Sequence, residues 1–336
     1  MKENNRRNFI KMASIAGAGI TMIGSSAFAK NKTKIKGQGS VGIVGMDTSH
    51  SPTLVKAINN SENGYNVTTA FTTVSLDFPL STNRVEKFTA EIKSMGVEIV
   101  STIEELLDKV DFVLLCTVDG RLHLKQAEKI LKAGKRVFID KPIAASLKNV
   151  IEIFNLSKKY NIPTFTSSAV RFIDEAQKVR KGSIGKVLGA DTFAPVSYQS
   201  IYPELYWYGI HGIELLFTLM QTGCQKVKRL TTNNYDIVTG VWDEGRIGNY
   251  RGMKYKMGKY GGQAFGNEGV SYLGEFVGFE PLHYAILHYF DTGKVPVQPK
   301  ETIEIFAFME AAHESSRKNG EWVTIKSVLD KVGYIK

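Results

Sequence analysis

The sequence predicts an α/β fold: a doubly wound parallel sheet followed by an α+β domain with a largely antiparallel open sheet. Three observations predict it. From Val41 to Thr166, short apolar runs rich in β-branched residues alternate with segments of helical period, the pattern of a parallel sheet with crossover helices. Beyond about residue 185, strand-like runs follow one another with few helices between them. The first apolar run ends at a glycine, Gly45, and a helix-capable segment follows.

The elements follow in order. Val41–Gly45 reads as a buried first strand and Thr53–Asn59 as a helix. Val67–Phe71 is the second strand, Arg84–Ser94 a helix and Val97–Val100 a short strand. Thr102 suits the N-cap of an Ile103–Leu107 helix. Phe112–Cys116 is strongly apolar and reads as a strand. Leu122–Lys132 is a helix burying Ala127, Ile130 and Leu131, stopped by Gly134. Val137–Ile139 is the next strand, and the Leu147–Lys158 helix puts Leu147, Val150, Ile151 and Phe154 on one face. Thr164–Thr166 closes the series. In the second half, strands are expected at Leu188–Phe193, Lys226–Thr232, Ile237–Trp242 and Arg246–Tyr250, with helices at Ile210–Met220, Pro281–Tyr289 and Ile303–Arg317. The Gly-rich stretch from Gly252 to Gly278 reads as turns between further strands.

The N-terminus reads as a targeting segment. Arg6-Arg7-Asn8-Phe9-Ile10-Lys11 is a twin-arginine signature, an apolar run follows from Met12 to Ile23, and Ala27-Phe28-Ala29 offers a small-x-small cleavage site. The expected division is a signal peptide at 1–29, a dinucleotide-binding domain at 30–168 and a substrate and oligomerisation domain at 169–336. The expected location is periplasmic, reached through the twin-arginine export machinery. That route carries folded proteins, and nucleotides are scarce outside the cytoplasm, so an exported enzyme that uses one has to hold it tightly.

Composition excludes several classes. The chain has 336 residues and a formal net charge of +10, of which the leader supplies a part. The remaining Lys and Arg are scattered and form no basic run, so no nucleic-acid partner is expected. Cys116 and Cys224, the two cysteines, sit in apolar surroundings and suggest core positions rather than a disulfide framework. No His and Cys set has zinc-site spacing, so no metal is expected.

Ligands on doubly wound sheets bind beyond the carboxyl ends of the strands, so the residues there are the candidates. The first strand is followed by Gly45-Met46-Asp47-Thr48-Ser49-His50. A dinucleotide fingerprint would place glycine at 45, 47 and 50, and only Gly45 conforms. Asp47 stands where backbone should approach a pyrophosphate, and its charge opposes a phosphate. Thr48 and Ser49 still offer hydroxyls and backbone donors at a helix start. A tight turn with Asp47 capping the helix is the competing reading. No ribose-binding acid follows the second strand. The fourth strand leads into Thr117-Val118-Asp119-Gly120-Arg121-Leu122-His123, and the fifth into Asp140-Lys141-Pro142. A lysine fixed at a strand end before proline can polarise a carbonyl or donate to a sugar hydroxyl.

These residues carry a resemblance. Thr117 to His123, then Ala133-Gly134-Lys135-Arg136-Val137, then Asp140-Lys141-Pro142-Ile143-Ala144 resemble, in order and spacing, the oxidoreductase family of glucose–fructose oxidoreductase, inositol dehydrogenase and MocA. The family pattern is a Thr-Pro stretch ending in His, a glycine-centred turn, then Glu-Lys-Pro; here Val118 replaces the proline and Asp140 the glutamate. The resemblance runs from about Val41 to Arg171 and more loosely to the C-terminus. It implies a Rossmann-type fold and NAD or NADP as cofactor, tightly bound if the protein is exported, while the broad open face of the second sheet suits a homo-oligomer.

The resemblance also implies roles. Gly45, Asp47, Thr48, Ser49, Thr117, Asp119, His123, Lys141 and Pro142 would line the cofactor. Tyr208 to Leu216 resembles the family's helix with a catalytic histidine, which falls on His211. The family's aspartate four residues earlier is Trp207 here, and Glu204, Glu214, Tyr206 or Tyr208 are the candidates to replace it. Arg171 resembles an arginine near the domain junction and is, with Glu214, a candidate substrate contact; a structural salt bridge is the alternative for Arg171. The implied activity is hydride transfer from a sugar, cyclitol or derivative, with His211 as general base and Lys141 stabilising the oxyanion. Two alternatives stay open. One is a glycoside hydrolase or lyase using a tightly bound nucleotide for transient oxidation. The other is a binding protein that has lost the cofactor, for which Asp47 is the best support.

Overall fold

A computed structural model describes residues 37–334 except 61, 63, 256, 257 and 277. The leader expected at 1–29 lies outside the described residues. The first sheet contains β1 (Gly39–Val44), β2 (Tyr65–Phe71), β3 (Glu98–Ile99), β4 (Phe112–Leu115) and β5 (Arg136–Ile139), in the order β3-β2-β1-β4-β5 and parallel throughout. Its central strands β1, β4 and β5 are buried on both faces, with Val41, Ile43, Val113, Leu114 and Phe138 fully covered, which explains their continuous apolar runs, whereas β2 and β3 expose part of one face. The strand expected at Thr164–Thr166 is a single parallel bridge from Phe165 to Phe138.

Helices lie on both faces. The first predicted helix opens earlier than its apolar periodicity suggests, at His50 rather than Thr53, and the next long one opens one residue later, at Val85 rather than Arg84. Thr102 does cap the Ile103–Lys109 helix, accepting from the Glu105 N–H, and Ser146 caps Leu147–Lys159 through the Asn149 N–H. A short helix at Pro79–Thr82, unforeseen in the sequence, interrupts the segment after β2.

The second sheet has seven strands: β6 (Val187–Pro195), β7 (Cys224–Thr231), β8 (Tyr235–Trp242), β9 (Ile247–Met253), β10 (Gly261–Gly266), β11 (Val270–Leu273) and β12 (Val323–Thr324). Their order is β11-β10-β6-β9-β8-β7-β12, antiparallel except for the β6–β9 pair. One face packs on the Gly209–Met220 and Pro299–Arg317 helices through Val227, Val238, Trp242 and Tyr250. The other face exposes Ile247, Val270 and Tyr272.

The boundary at 168/169 does not divide the packing. The Pro299–Arg317 helix packs on Leu147–Lys159 as well as on β7. Phe290, in the Glu280–Thr292 helix, stacks on Phe112 of β4, and Arg136 of β5 donates to the Phe290 carbonyl at 2.5 Å. Cys116 and Cys224 are both buried and free, as the apolar context indicates.

Candidate functional site at the strand ends

The turn after β1 is built for contact between strands. Gly45 has φ of +97°, and a Cβ there would lie 2.2 Å from the Thr117 nitrogen, so only glycine lets the β1 and β4 turns approach. Ser51 Oγ donates to the Gly45 carbonyl at 2.7 Å. Asp47 is fully buried and points at the neighbouring turn. Its Oδ1 accepts the Val118 N–H at 2.9 Å and its Oδ2 accepts the Ser81 hydroxyl at 2.6 Å. Burial raises its pKa, and those two hydrogen bonds offset only part of that. Thr48 is buried and accepts from the His50 N–H, while Ser49 is exposed.

The segment from Ser75 to Thr82 crosses the same edge of the sheet. Ser75 Oγ donates to Asp119 at 2.6 Å, and Arg121 bridges Asp119 and Asp77 with contacts of 2.7 Å to each. Burial would raise the Asp119 pKa, but the bonds from Arg121 and Ser75 hold it below the ordinary value. Phe78 is 1% exposed, with ring centroids 6.4 Å from Tyr202 and 6.1 Å from Trp207. Tyr202 in turn donates to the Val118 carbonyl and accepts the Gly120 N–H. This segment therefore ties the β1 and β4 turns to the second half of the chain.

The implied dinucleotide can be tested against these positions. A slot of about 340 Å³ lies at the ends of β2 and β3, lined by Phe71, Thr73, Thr102, Lys125, Gln126 and Lys129, and the buried Gln126 Oε1 has no hydrogen-bond partner among the described residues. The pyrophosphate fits poorly: at the turn where it would meet backbone N–H groups stands the Asp47 carboxylate, held by Val118 and Ser81, whose charge opposes a phosphate. The residues present do not fit the whole cofactor. Asp47 and Asp119, expected to line the cofactor, are committed to closing that crevice. His123 is also structural: its ring nitrogens face the Thr117 carbonyl at 2.7 Å and the Ile143 carbonyl at 3.1 Å, and burial lowers its pKa.

Lys141 and His211 come together. Lys141 Nζ lies 5.2 Å from the Trp207 ring centroid and 5.8 Å from that of Tyr208. Thus the indole at the position of the family's aspartate takes the ammonium on its face. Burial lowers the Lys141 pKa, with Asp140 opposing. Burial also lowers the His211 pKa strongly, and the charges of Lys141 and His50 add to that. His211 Nδ1 lies 2.7 Å from Ser168 Oγ, and its ring meets Tyr208 and Tyr260 edge-on. Pro142 follows Lys141 through a cis peptide bond.

One pairing escaped the sequence reading. His50 Nδ1 lies 2.7 Å from Asp140 Oδ2, two strands away, and its ring lies 5.3 Å from Phe279. Burial would raise the Asp140 pKa, but His50 and then Lys141 keep it low. The signal was present in the sequence: His50 at the third glycine position and Asp140 for glutamate are departures at two strand ends that face each other.

Arg171 and Glu214 lie elsewhere. Arg171 is 2% exposed, with Nε 2.7 Å from Glu214 and Nη2 2.8 Å from Glu301. Glu301 also pairs with Arg180 at 2.6 Å. Glu214 accepts further bonds from Ser167 Oγ and the Ser168 N–H. Their charged atoms are thus spent on a buried ion-pair network, the salt-bridge alternative, rather than turned to a substrate. Glu214 reaches His211 only through Ser168. Glu204 pairs with Arg229, and Tyr206 donates to Glu310, so neither replaces the missing aspartate. Among the described residues no group of three or more His, Cys, Asp or Glu is placed to hold a metal ion.

Residues 40–166 match the model of an oxidoreductase family with an NAD-binding Rossmann fold. An uncharacterized oxidoreductase of Streptococcus pneumoniae serotype 4 is 28% identical over 121 residues, 34% of this chain and 32% of that protein. The uncharacterized oxidoreductase YhhX of Escherichia coli K12 is 24% identical over 139 residues, 37% of this chain and 39% of that protein. The match thus spans about a third to two fifths of the length of these curated relatives. Among solved structures, scyllo-inositol dehydrogenase of Lactobacillus casei with bound NAD(H) and scyllo-inositol superposes with a TM-score of 0.71 at 15% identity, covering 86% of this chain and 100% of that one. A probable dehydrogenase of Thermotoga maritima gives 0.71 at 16% identity, covering 86% and 99%. The fold is that of these dehydrogenases. The matches support the oxidoreductase family for the first domain.

Proposed function

We propose that this chain is an enzyme acting on a sugar, a cyclitol or a derivative, with Lys141 and His211 at the reacting carbon. One observation carries the reading: a half-buried ammonium and a half-buried imidazole meet among Trp207, Tyr208 and Tyr260, rings suited to the apolar faces of a sugar. Such a site can move a proton on a C–O–H group. His211, kept neutral by burial, takes the hydroxyl proton, and the Lys141 ammonium stabilises the oxyanion that develops.

The family match supports oxidation of the carbinol as the overall reaction, which makes the chain an oxidoreductase of the CH–OH class. NAD or NADP is the acceptor that similarity implies. A second reading is favoured by the Asp47 turn: the same proton chemistry without net redox change. The twin-arginine leader supports action in the periplasm. The outward face of the second sheet, with Ile247, Val270 and Tyr272 exposed, supports assembly with further copies of the chain.

The test is to incubate the purified protein with a panel of sugars, cyclitols and glycosides, with and without NAD+ or NADP+, and to weigh the products. A product two mass units lighter, formed only with nucleotide, supports oxidation. A cleaved or isomeric product formed without nucleotide supports the second reading. Turnover that survives Lys141→Ala and His211→Ala defeats both.

A further inference from the structure

We infer that His50 and Asp140 form the acid–base pair of a dinucleotide-independent elimination on a carbonyl-bearing sugar. The inference rests on the reading of Lys141 and His211 as the pair at the reacting carbon.

Three observations support it. The crevice for a pyrophosphate is closed by the chain itself, through Asp47 on Val118 and Ser81 and through Phe78 against Tyr202 and Trp207. Next, His50 is held as an oriented base is held. Asp140, with its side chain 9% exposed, takes the Nδ1–H at 2.7 Å and directs Nε2 away from the carboxylate, on a side chain that keeps 24% exposure. Finally, His50 belongs to the same site: its partner Asp140 adjoins Lys141, whose ammonium lies over the Trp207 and Tyr208 rings, and a chain of rings through Phe279, Phe276 and Tyr260 joins His50 to His211.

The chemistry follows from the groups. An ammonium, a neutral imidazole and a carboxylate-oriented imidazole can carry proton transfer but accept no hydride. A C–H bond of a sugar is too weakly acidic for an imidazole unless a carbonyl adjoins it. The substrate class is therefore a glycoside or polyol derivative that already carries a ketone. His50 Nε2 removes the proton from the carbon between the ketone and the carbon bearing the leaving group. The C–H electron pair becomes the C=C bond of an enolate, whose oxygen the Lys141 ammonium stabilises, with a hydrogen bond from His211. The enolate collapses, the C–O bond to the leaving group breaks with its electron pair, and the His50 imidazolium returns its proton to that oxygen. The product is an unsaturated ketone and an alcohol, with no change in redox state and no co-reactant. The ketone has to be supplied by an oxidation that occurs elsewhere.

The probe is p-nitrophenyl β-glucoside oxidised at C3 to the ketone, in which the proton at C2 lies beside the carbonyl and the leaving group is at C1. Protein purified from the host that exports it is denatured and its extract weighed for nucleotide. The folded protein is then assayed in D2O, without nucleotide, for deuterium entry at C2 and for nitrophenolate release. The expected result is less than one tenth of a nucleotide per chain, with exchange and release in the wild type. Both should fall about 100-fold or more in His50→Gln, and by a smaller factor in Asp140→Asn, with His50→Gln retaining the wild-type thermal midpoint. One nucleotide per chain, a need for added NAD+, unchanged exchange in His50→Gln, or a wild type inert to this ketone would each overturn the inference. Loss of turnover in Lys141→Ala and His211→Ala together with one bound nucleotide would reject the elimination and leave the proposed function standing.

Discussion

Replacing Phe78 with alanine separates a fixed plug from a movable lid. Phe78 is 1% exposed and sits edge-on to both Tyr202 and Trp207. Its neighbours are anchored on both sides, because Ser75 donates to Asp119 and Ser81 to Asp47. Truncating a phenylalanine this buried costs about 3–5 kcal/mol, made of lost transfer energy and the cavity left behind. For a chain of this length each kcal/mol shifts the melting midpoint by roughly 2 °C, so a fall of about 6–10 °C is expected. Differential scanning calorimetry reads the shift, and amide exchange at Ser75 to Ser81 reads local opening. A plug exchanges slowly in the wild type and much faster in the variant. A lid that already spends much of its time open would lose under about 1 kcal/mol and would exchange quickly in both proteins. That outcome would refute the closed crevice, and with it the case against the pyrophosphate.

Further expectations follow from the same geometry. Asp47→Asn keeps both contacts, since its amide oxygen accepts the Val118 N–H and its NH2 donates to Ser81. The folded pKa of Asp47 is raised, so the wild-type carboxylate loses stability as pH rises above the ordinary carboxylate range and through that raised value. The variant should melt no lower than the wild type at pH 7, with any advantage gone under acid conditions; a large drop in midpoint at pH 7 would contradict this. Glu301→Gln leaves Arg171 and Arg180 short of a carboxylate and should cost about 3 kcal/mol by urea titration. Burial works against the Glu301 charge, but the two arginines lower its folded pKa, so its stabilisation is present above the unfolded carboxylate value and lost as pH falls through the folded one. The variant should therefore show a shallower acid limb, and an unaltered limb would count against the network. Phe78→Ala and Trp207→Ala should be non-additive by at least about 0.5 kcal/mol in a double-mutant cycle, because the two rings share one contact. Tyr272→Glu, at a position 73% exposed, should lower the oligomeric mass in light scattering if the open sheet face joins copies of the chain.

The layered fold was legible because it is written in periodicity. Val41, Ile43, Val113 and Leu114 are covered on both faces of the first sheet and form unbroken apolar runs. The second sheet was legible as a run of strand-like segments with few helices between them; β8 and β9 alternate in burial, while β7 does not, burying Arg229 and exposing Leu230. The meeting of Lys141 and His211 was accessible only through resemblance, since 69 residues separate them and no local pattern reports a contact at that distance. The Pro79–Thr82 helix was not legible: four residues carry no period, and what stabilises it is Phe78 in a pocket made by residues more than 120 positions later. Arg171 was ambiguous for the same reason. A buried ion pair and a substrate clamp use the same residue type, and only the positions of Glu214 and Glu301 distinguish them.

The departures from the pattern of the family this chain resembles are connected. Asp47 stands for a glycine, and its carboxylate is tolerated in a buried turn because Val118 and Ser81 donate to it. Ser81 is in position because the Ser75–Thr82 segment is pinned by Phe78, and Phe78 has a pocket because Trp207 and Tyr202 stack on one another at 5.5 Å. Trp207 stands where the family has aspartate. An aspartate there would supply neither the wall of that pocket nor the aromatic face on which Lys141 rests. Restoring the carboxylate would thus open the plug and re-pair the ammonium in a single step. The change at 207 and the change at 47 are opposite ends of one packed unit, whose aromatic side also carries the Lys141 ammonium on the Trp207 and Tyr208 rings.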